Sequence, residues 1–248
     1  MKKLLMTLLV CGMVASMCAC ANKTEETAVP AEDATTEVVT EEAPAEDTTE
    51  ATEETTKTTE ETEGTVVTGI ITEAAMNTFS IQAEDGTYYL FAKDDNTKVN
   101  CADGILLGEV VDVTYTGTQE AGDMVAVEIN DSAVETKADK EAITFAISAM
   151  QSVQFMDQEG LSSMMTYPAY VCVGDIDETV ADAETFKAID SEKLFSQELS
   201  DVVVNYNLFN LEEVPGTGYI LGDGTPNIIF QADKNSDFGF GVTAINGK

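Results

Sequence analysis

Residues 139–153, "DKEAITFAISAMQSV", mark the point where the chain changes period. Ile143, Ala146, Ile147, Met150 and Val153 recur at spacings of three and four, so they share one face of a helix. Asp139 or Thr136 supplies the N-cap, since a short side-chain oxygen there can accept from an otherwise unpaired amide of the first turn. Upstream of this stretch the apolar residues alternate in twos. Downstream, helical signals come first and strand signals close the chain. The stretch therefore divides the sequence into an all-β part, residues 65–136, and an α+β part, residues 137–248.

Working upstream, "TVVTGIITEA", "NTFSIQAE", "TYYLFAK", "EVVDVTYTG" and "MVAVEIND" read as five short strands. Phe79 and Ile81 share a face, "EDG" turns into the third strand, and residues 94–108 form an irregular segment between the third and fourth. The five strands resemble a small OB-like barrel, a resemblance of about 65 residues without a specific motif. Nucleic-acid binding through such a barrel needs positive charge along the backbone track. Here Lys93 and Lys98 face 13 acids over residues 64–136, so nucleic acid is excluded as a partner. Tyr88, Tyr89 and Phe91 read as core and face residues of a strand, not as a base-stacking platform.

Downstream, Asp157 introduces a short helix, "QEGLSSMM", which Pro168 is expected to end, and "AYVCV" reads as a strand. "DAETFKAI" and "SEKLFSQELSDVVVN" read as two helices. "NLFNL", "GYILG", "NIIFQA" and "FGFGVTAI" read as strands. This order is carried by "MDQEGLSSMMTYPAYV", "DSEKLFSQEL", "GYILGDG" and "NIIFQADKNSDFGFGVTAING". It resembles the NTF2-like (cystatin-like α+β) superfamily, in which helices pack on a curved antiparallel sheet to make a cone. The core is expected to include Phe145, Ile147, Met150, Leu194, Leu199, Val203, Ile229 and Phe230, and residues 138–248 are expected to fold alone. The resemblance implies a pocket in the cone, with Phe155, Tyr167, Tyr170, Phe195, Tyr219 and Phe230 as its lining. The superfamily hosts enzymes and binding domains alike, so fold does not give function.

The N-terminus carries an address. Lys2 and Lys3 precede an apolar run, residues 4–15, too short to span a bilayer and of signal-peptide length. Small residues lead to Cys18 and Cys20. The segment resembles a bacterial lipoprotein signal peptide, residues 1–19, which implies acylation of Cys20, the cysteine preceded by Ala19. Met17 and Cys18 depart from the usual lipobox. Residues 20–64 follow as a Thr/Glu-rich tether. Residues 21–63 hold 15 acids against 2 lysines and almost no large apolar side chain, a composition that stays disordered. The expected location is the extracytoplasmic face of the cell membrane, with the lipid as the membrane partner.

The chain has a net charge of −34 and no His, Trp or Arg. It therefore lacks the side chain that titrates near neutrality and the fork that clamps phosphate. Catalytic triads, the usual zinc sites and P-loop chemistry each miss a member. "DKNSDFG", residues 233–239, starts like a calcium loop, but positions six and twelve are Phe238 and Ala244, so it reads as a hairpin loop. Asp175 and Asp177 fall in "GDIDET", read as a solvated polar turn. Cys172, between Val171 and Val173, reads as a small buried hydrophobe. No metal and no cofactor are expected. The resulting expectation is a non-catalytic binding or scaffolding module at the envelope, with an unidentified small-molecule or protein ligand. The alternatives are an isomerase or lyase using Asp and Tyr in the cone, and a structural part of an envelope assembly.

Overall fold

The computed structural model describes residues 64–247. The expected signal peptide, the expected acylation of Cys20 and the expected tether up to residue 63 lie outside the described residues.

Alternating apolar residues give the first six strands: β1 (Thr65–Ala74), β2 (Thr78–Ala83), β3 (Tyr88–Ala92), β4 (Lys98–Asn100), β5 (Val110–Thr116) and β6 (Val125–Asp131). Their order is β3-β2-β1-β5-β6-β4, and β3 also pairs with β6 in parallel, at Ala92 and Val125. The sheet thus closes on itself, which removes the unpaired edges an open sheet would present. Ile71, Phe79, Ile81, Phe91, Val111, Val113 and Ile129 fill its interior. The Phe79 and Phe91 rings lie 5.3 Å apart and Tyr115 packs on Phe91 at 5.1 Å. Strand β4 is a correction: it forms within the segment expected to be irregular and pairs with β6 in parallel.

The remaining elements are α1 (Lys140–Gln154), α2 (Gln158–Ser163), β7 (Met165–Val173), β8 (Ile176–Val180), α3 (Ala183–Lys187), α4 (Ser191–Leu194), α5 (Gln197–Val204), a single 3-10 turn (Leu208–Asn210), β9 (Glu213–Val214), β10 (Gly218–Leu221), β11 (Asn227–Ala232) and β12 (Phe240–Asn246). The second sheet runs β8-β7-β12-β11-β10-β9. It is antiparallel except between β7 and β12, which are parallel. A long excursion through three helices separates β7 and β8 from the closing strands, and such a crossover permits the parallel pair. The whole apolar face predicted for α1 is buried, and Phe145 on that helix packs on Phe230 at 4.9 Å. Part of the acidic composition serves the helix ends. Asp139, Asp157, Asp182 and Asp190 each cap a helix by accepting from an amide of its first turn.

Several expectations are corrected. Pro168 does not end the short helix: α2 stops at Ser163, and Pro168 lies inside β7. Residues 176–179 of the presumed polar turn belong to strand β8, with Asp177 paired to Cys172. The segment "SEKLFSQELSDVVVN" is broken in two because Ser196 caps α5 by accepting from the Leu199 amide. "NLFNL" forms the 3-10 turn, where Asn207 accepts from the Phe209 amide. Of the expected core, Ile229 is only half-buried. Neighbours on a strand point to opposite faces, so Ile228 joins Phe230 in the core instead.

The two sheets are sewn together. Gln82 on β2 is 0% exposed. Its amide nitrogen donates to the Tyr206 carbonyl at 3.0 Å and its oxygen accepts from the Leu208 amide at 2.8 Å. Asn207 donates to the Glu84 carbonyl and Thr144 on α1 donates to the Leu107 carbonyl. Lys140 pairs with Glu109. Ile70, on β1 of the first sheet, is buried in the core of the second. Gly108 lets the chain pass close over α1. It has φ +82, and a Cβ there would stand 2.5 Å from the Thr144 hydroxyl oxygen. These contacts bear on the expectation that residues 138–248 fold alone, because that fragment would leave a core position and several polar partners behind.

Candidate functional site

Where the strands of the first sheet meet α1 and α5, a cavity of about 280 Å3 opens. Its floor is Ile147 and Met150, inward-facing residues of α1. Its rim carries Glu73 at the end of β1, Ser80 on β2 and Tyr88 at the start of β3, brought side by side by the β1–β2 and β2–β3 registers. Ser80 donates to a Glu73 carboxylate oxygen at 3.2 Å. The Tyr88 hydroxyl donates to the Val204 carbonyl at the end of α5 at 3.2 Å, and Gln151 donates to the Thr72 carbonyl at 3.3 Å. Partial burial first, and then the Glu73 charge, push the Tyr88 phenol up to about 12. Tyr88 is thus a neutral donor with its ring beside a carboxylate. The arrangement offers one negative charge, one aromatic face and an apolar floor. It holds no base and acid in mutual hydrogen-bond contact.

The residues expected to line a cone do not gather around one cavity. Tyr219 and Phe230 stack at 5.0 Å and are buried with Phe145 and Phe240 in a continuous aromatic cluster beneath α1. Phe195 is buried at the start of the α4–α5 junction. Tyr167 is half-buried, with its hydroxyl 2.9 Å from the Ser162 hydroxyl. Phe155 caps the C-terminus of α1 and is 69% exposed. Tyr170 lies on the solvent face of the second sheet and donates to Asp177 at 2.8 Å. That hydrogen bond holds its phenol well above the usual range. An Asp–Tyr pair therefore exists, outside the apolar interior. Asp175, in the turn before β8, pairs with Lys193. Asp233 accepts from Thr166 at 2.6 Å and from the Asn235 amide, holding the β11–β12 hairpin loop in shape. Cys101 and Cys172 are both free thiols.

Sequence reasoning missed the cavity because its members lie between positions 72 and 205 and meet only through the strand registers and the seam at Gln82. One signal was present: Tyr88 is the polar end of a strand whose neighbour Phe91 faces inward.

No protein-family model matches the chain, and no curated protein matches it. Among solved structures, one match is described as "Crystal structure of Ag(I)CusF". It is 14% identical, covers 27% of this chain and 96% of that chain, and has a TM-score of 0.24. At that score the likeness supports no inference about ligand or activity.

Proposed function

We propose that the protein is an envelope lipoprotein, held at the extracytoplasmic face of the membrane through acylated Cys20, whose folded part is a non-catalytic binding module. The finer architecture in this reading is an OB-like barrel followed by an NTF2-like α+β domain. A barrel closed in the order β1-β2-β3-β6-β5 supports the first. A long first helix over the order β8-β7-β12-β11-β10-β9 supports the second. The ligand is a small amphipathic cation. The observation that carries this is Glu73 beside the Tyr88 ring over the apolar floor of Ile147 and Met150. A carboxylate and a tyrosine face both attract an ammonium group, and the floor takes its hydrocarbon. The strongly acidic chain favours cations and disfavours nucleic acid in the same way.

The test is calorimetric titration of the full chain with phenethylammonium, with phenethyl alcohol as the uncharged control. The amine binds and the alcohol binds at least about tenfold more weakly, which corresponds to about 1.4 kcal/mol. Glu73→Gln removes the difference. Equal affinity for the two probes would overturn the cation reading. Intact mass of membrane-extracted protein tests the anchor: an unmodified N-terminus beyond Cys20 would remove it.

A further inference from the structure

A second cavity, of about 390 Å3, is lined by Tyr206 just after α5, by the β9 region and by the β10–β11 turn. Tyr206 is 7% exposed. Its backbone is fixed, since its carbonyl accepts from Gln82 and its amide donates to Val203. Its hydroxyl has no hydrogen-bond partner among the described residues, where no enclosed side-chain oxygen lacks one, so the hydroxyl is open to the cavity while most of the ring is buried. The carboxylates close enough to act on that phenol are Asp223 and Glu212, both of which line this cavity. Burial first, then those charges, push the phenol up to about 12, so it remains a donor at every physiological pH. Asn210 adds an exposed amide, and Val214 and Ile220 add an apolar strip.

We infer that this cavity binds a neutral polyhydroxylated ligand, a mono- or disaccharide, with the Tyr206 hydroxyl donating to it and Asp223 and Glu212 accepting from it. The ligand class follows from matching donors to acceptors. The phenol oxygen is reachable from the cavity, so its proton goes either to water or to a ligand oxygen. An ammonium group cannot accept from it. An anion can accept, but it meets two carboxylates, and the cation in the lining, Lys137, already pairs with Glu212 at 3.3 Å. A hydroxyl group accepts and donates at once, and adjacent hydroxyls satisfy the phenol and a carboxylate together. The Val214 and Ile220 strip suits the C–H face of a pyranose ring. The volume lies within the range of small-molecule pockets, about 300–1,000 Å3. This site shares no lining residue with the Glu73 cavity and does not depend on the reading given for it.

The test presents the full chain to a panel of neutral mono- and disaccharides, with propylammonium and sulfate as controls at matched ionic strength, read by ligand-observed NMR and calorimetry. At least one saccharide binds, and Tyr206→Phe weakens it about tenfold or more. Because the hydroxyl has no partner among the described residues and is open to water in the cavity, the same variant keeps its melting temperature at neutral pH. Asp223→Asn weakens the same saccharide, whereas Glu73→Gln leaves it unchanged. No saccharide binding, binding of the controls alone, or equal affinity in Tyr206→Phe would each overturn the inference.

Discussion

The two sheets solve the same burial problem differently. The first closes, and its side chains fill the interior without help from a helix. The second is open and has to be covered: α1 buries a full face on it, with Phe145, Phe230, Phe240 and Tyr219 in ring-to-ring contact. A closed sheet can in principle stand alone, whereas an open one depends on what covers it. Yet Ile70 leaves the barrel to enter the larger core, and the buried Gln82 amide joins the two through backbone groups. The halves have separate interiors and a shared, specific seam. One cavity is lined by Val204 and Asn205 and the other by Tyr206, which Gln82 holds, so the geometry of both depends on the seam.

The most severe way to break this comparison is to empty each interior. Phe79 and Phe230 are equivalent fully buried rings, one in each core. Each Phe→Ala substitution is expected to cost about 3–5 kcal/mol. If the seam couples the halves, either variant melts in one transition, lowered to a similar extent. A variant that melts in two steps, with one half unmoved, would show two independent domains.

Next in size is the seam itself. Gln82→Ala leaves the Tyr206 carbonyl and the Leu208 amide without their buried partner, at a cost of roughly 2–4 kcal/mol. Denaturant titration measures it. A loss under about 0.5 kcal/mol would mean that water readily replaces the glutamine, as at ordinary surface sites.

Alkaline pH probes the tyrosine that lines each cavity, Tyr88 in one and Tyr206 in the other. Tyr88 and Tyr206 ionise at about pH 12 in the folded chain because burial disfavours the phenolate. In the unfolded chain a tyrosine ionises near pH 10. Above pH 10 the folded state therefore binds more protons than the unfolded one. Stability is unaffected below pH 10 and falls as pH rises from 10 to 12. Denaturation midpoints at pH 8, 9.5 and 11 report this, and Tyr88→Phe with Tyr206→Phe makes the curve shallower, leaving the share of the other raised phenols, Tyr167, Tyr170 and Tyr219. A wild-type curve already flat to pH 11 would place both phenols in water.

What could be read from residues alone was local. The α1 face was legible from its spacing, as were the Asp139 and Asp157 caps, since cap and period lie within a few positions of each other. Ile229 was misread because adjacent strand residues cannot share a face, and the choice between Ile228 and Ile229 depends on register. Pro168 was misread as a terminator because a proline inside a strand is rare. Strand β8 was missed because acids dominate "GDIDET", and only pairing with β7 makes that segment a strand. Both cavities were invisible because their linings join residues far apart in the chain, from 72 to 205 in one and from 137 to 227 in the other.

The smallest expected effect concerns Asp177 and sharpens the contrast between a tyrosine at the seam and one on the open sheet. Tyr170 and Asp177 are both exposed and touch only across the β7–β8 hairpin. Water can replace a hydrogen bond at such a site, so Asp177→Asn should leave the melting temperature unchanged. Its effect appears in one phenol. With the carboxylate gone, the main reason for the raised Tyr170 ionisation disappears, and one tyrosine in the ultraviolet titration should move down toward the ordinary range near pH 10. The remaining tyrosines should not move, since none of them contacts Asp177. If Asp177→Asn instead lowered the melting temperature, or abolished turnover of a ligand found by screening, this Asp–Tyr pair would be more than a surface contact. The isomerase or lyase reading would then displace the binding module, with its site on the open face of the second sheet.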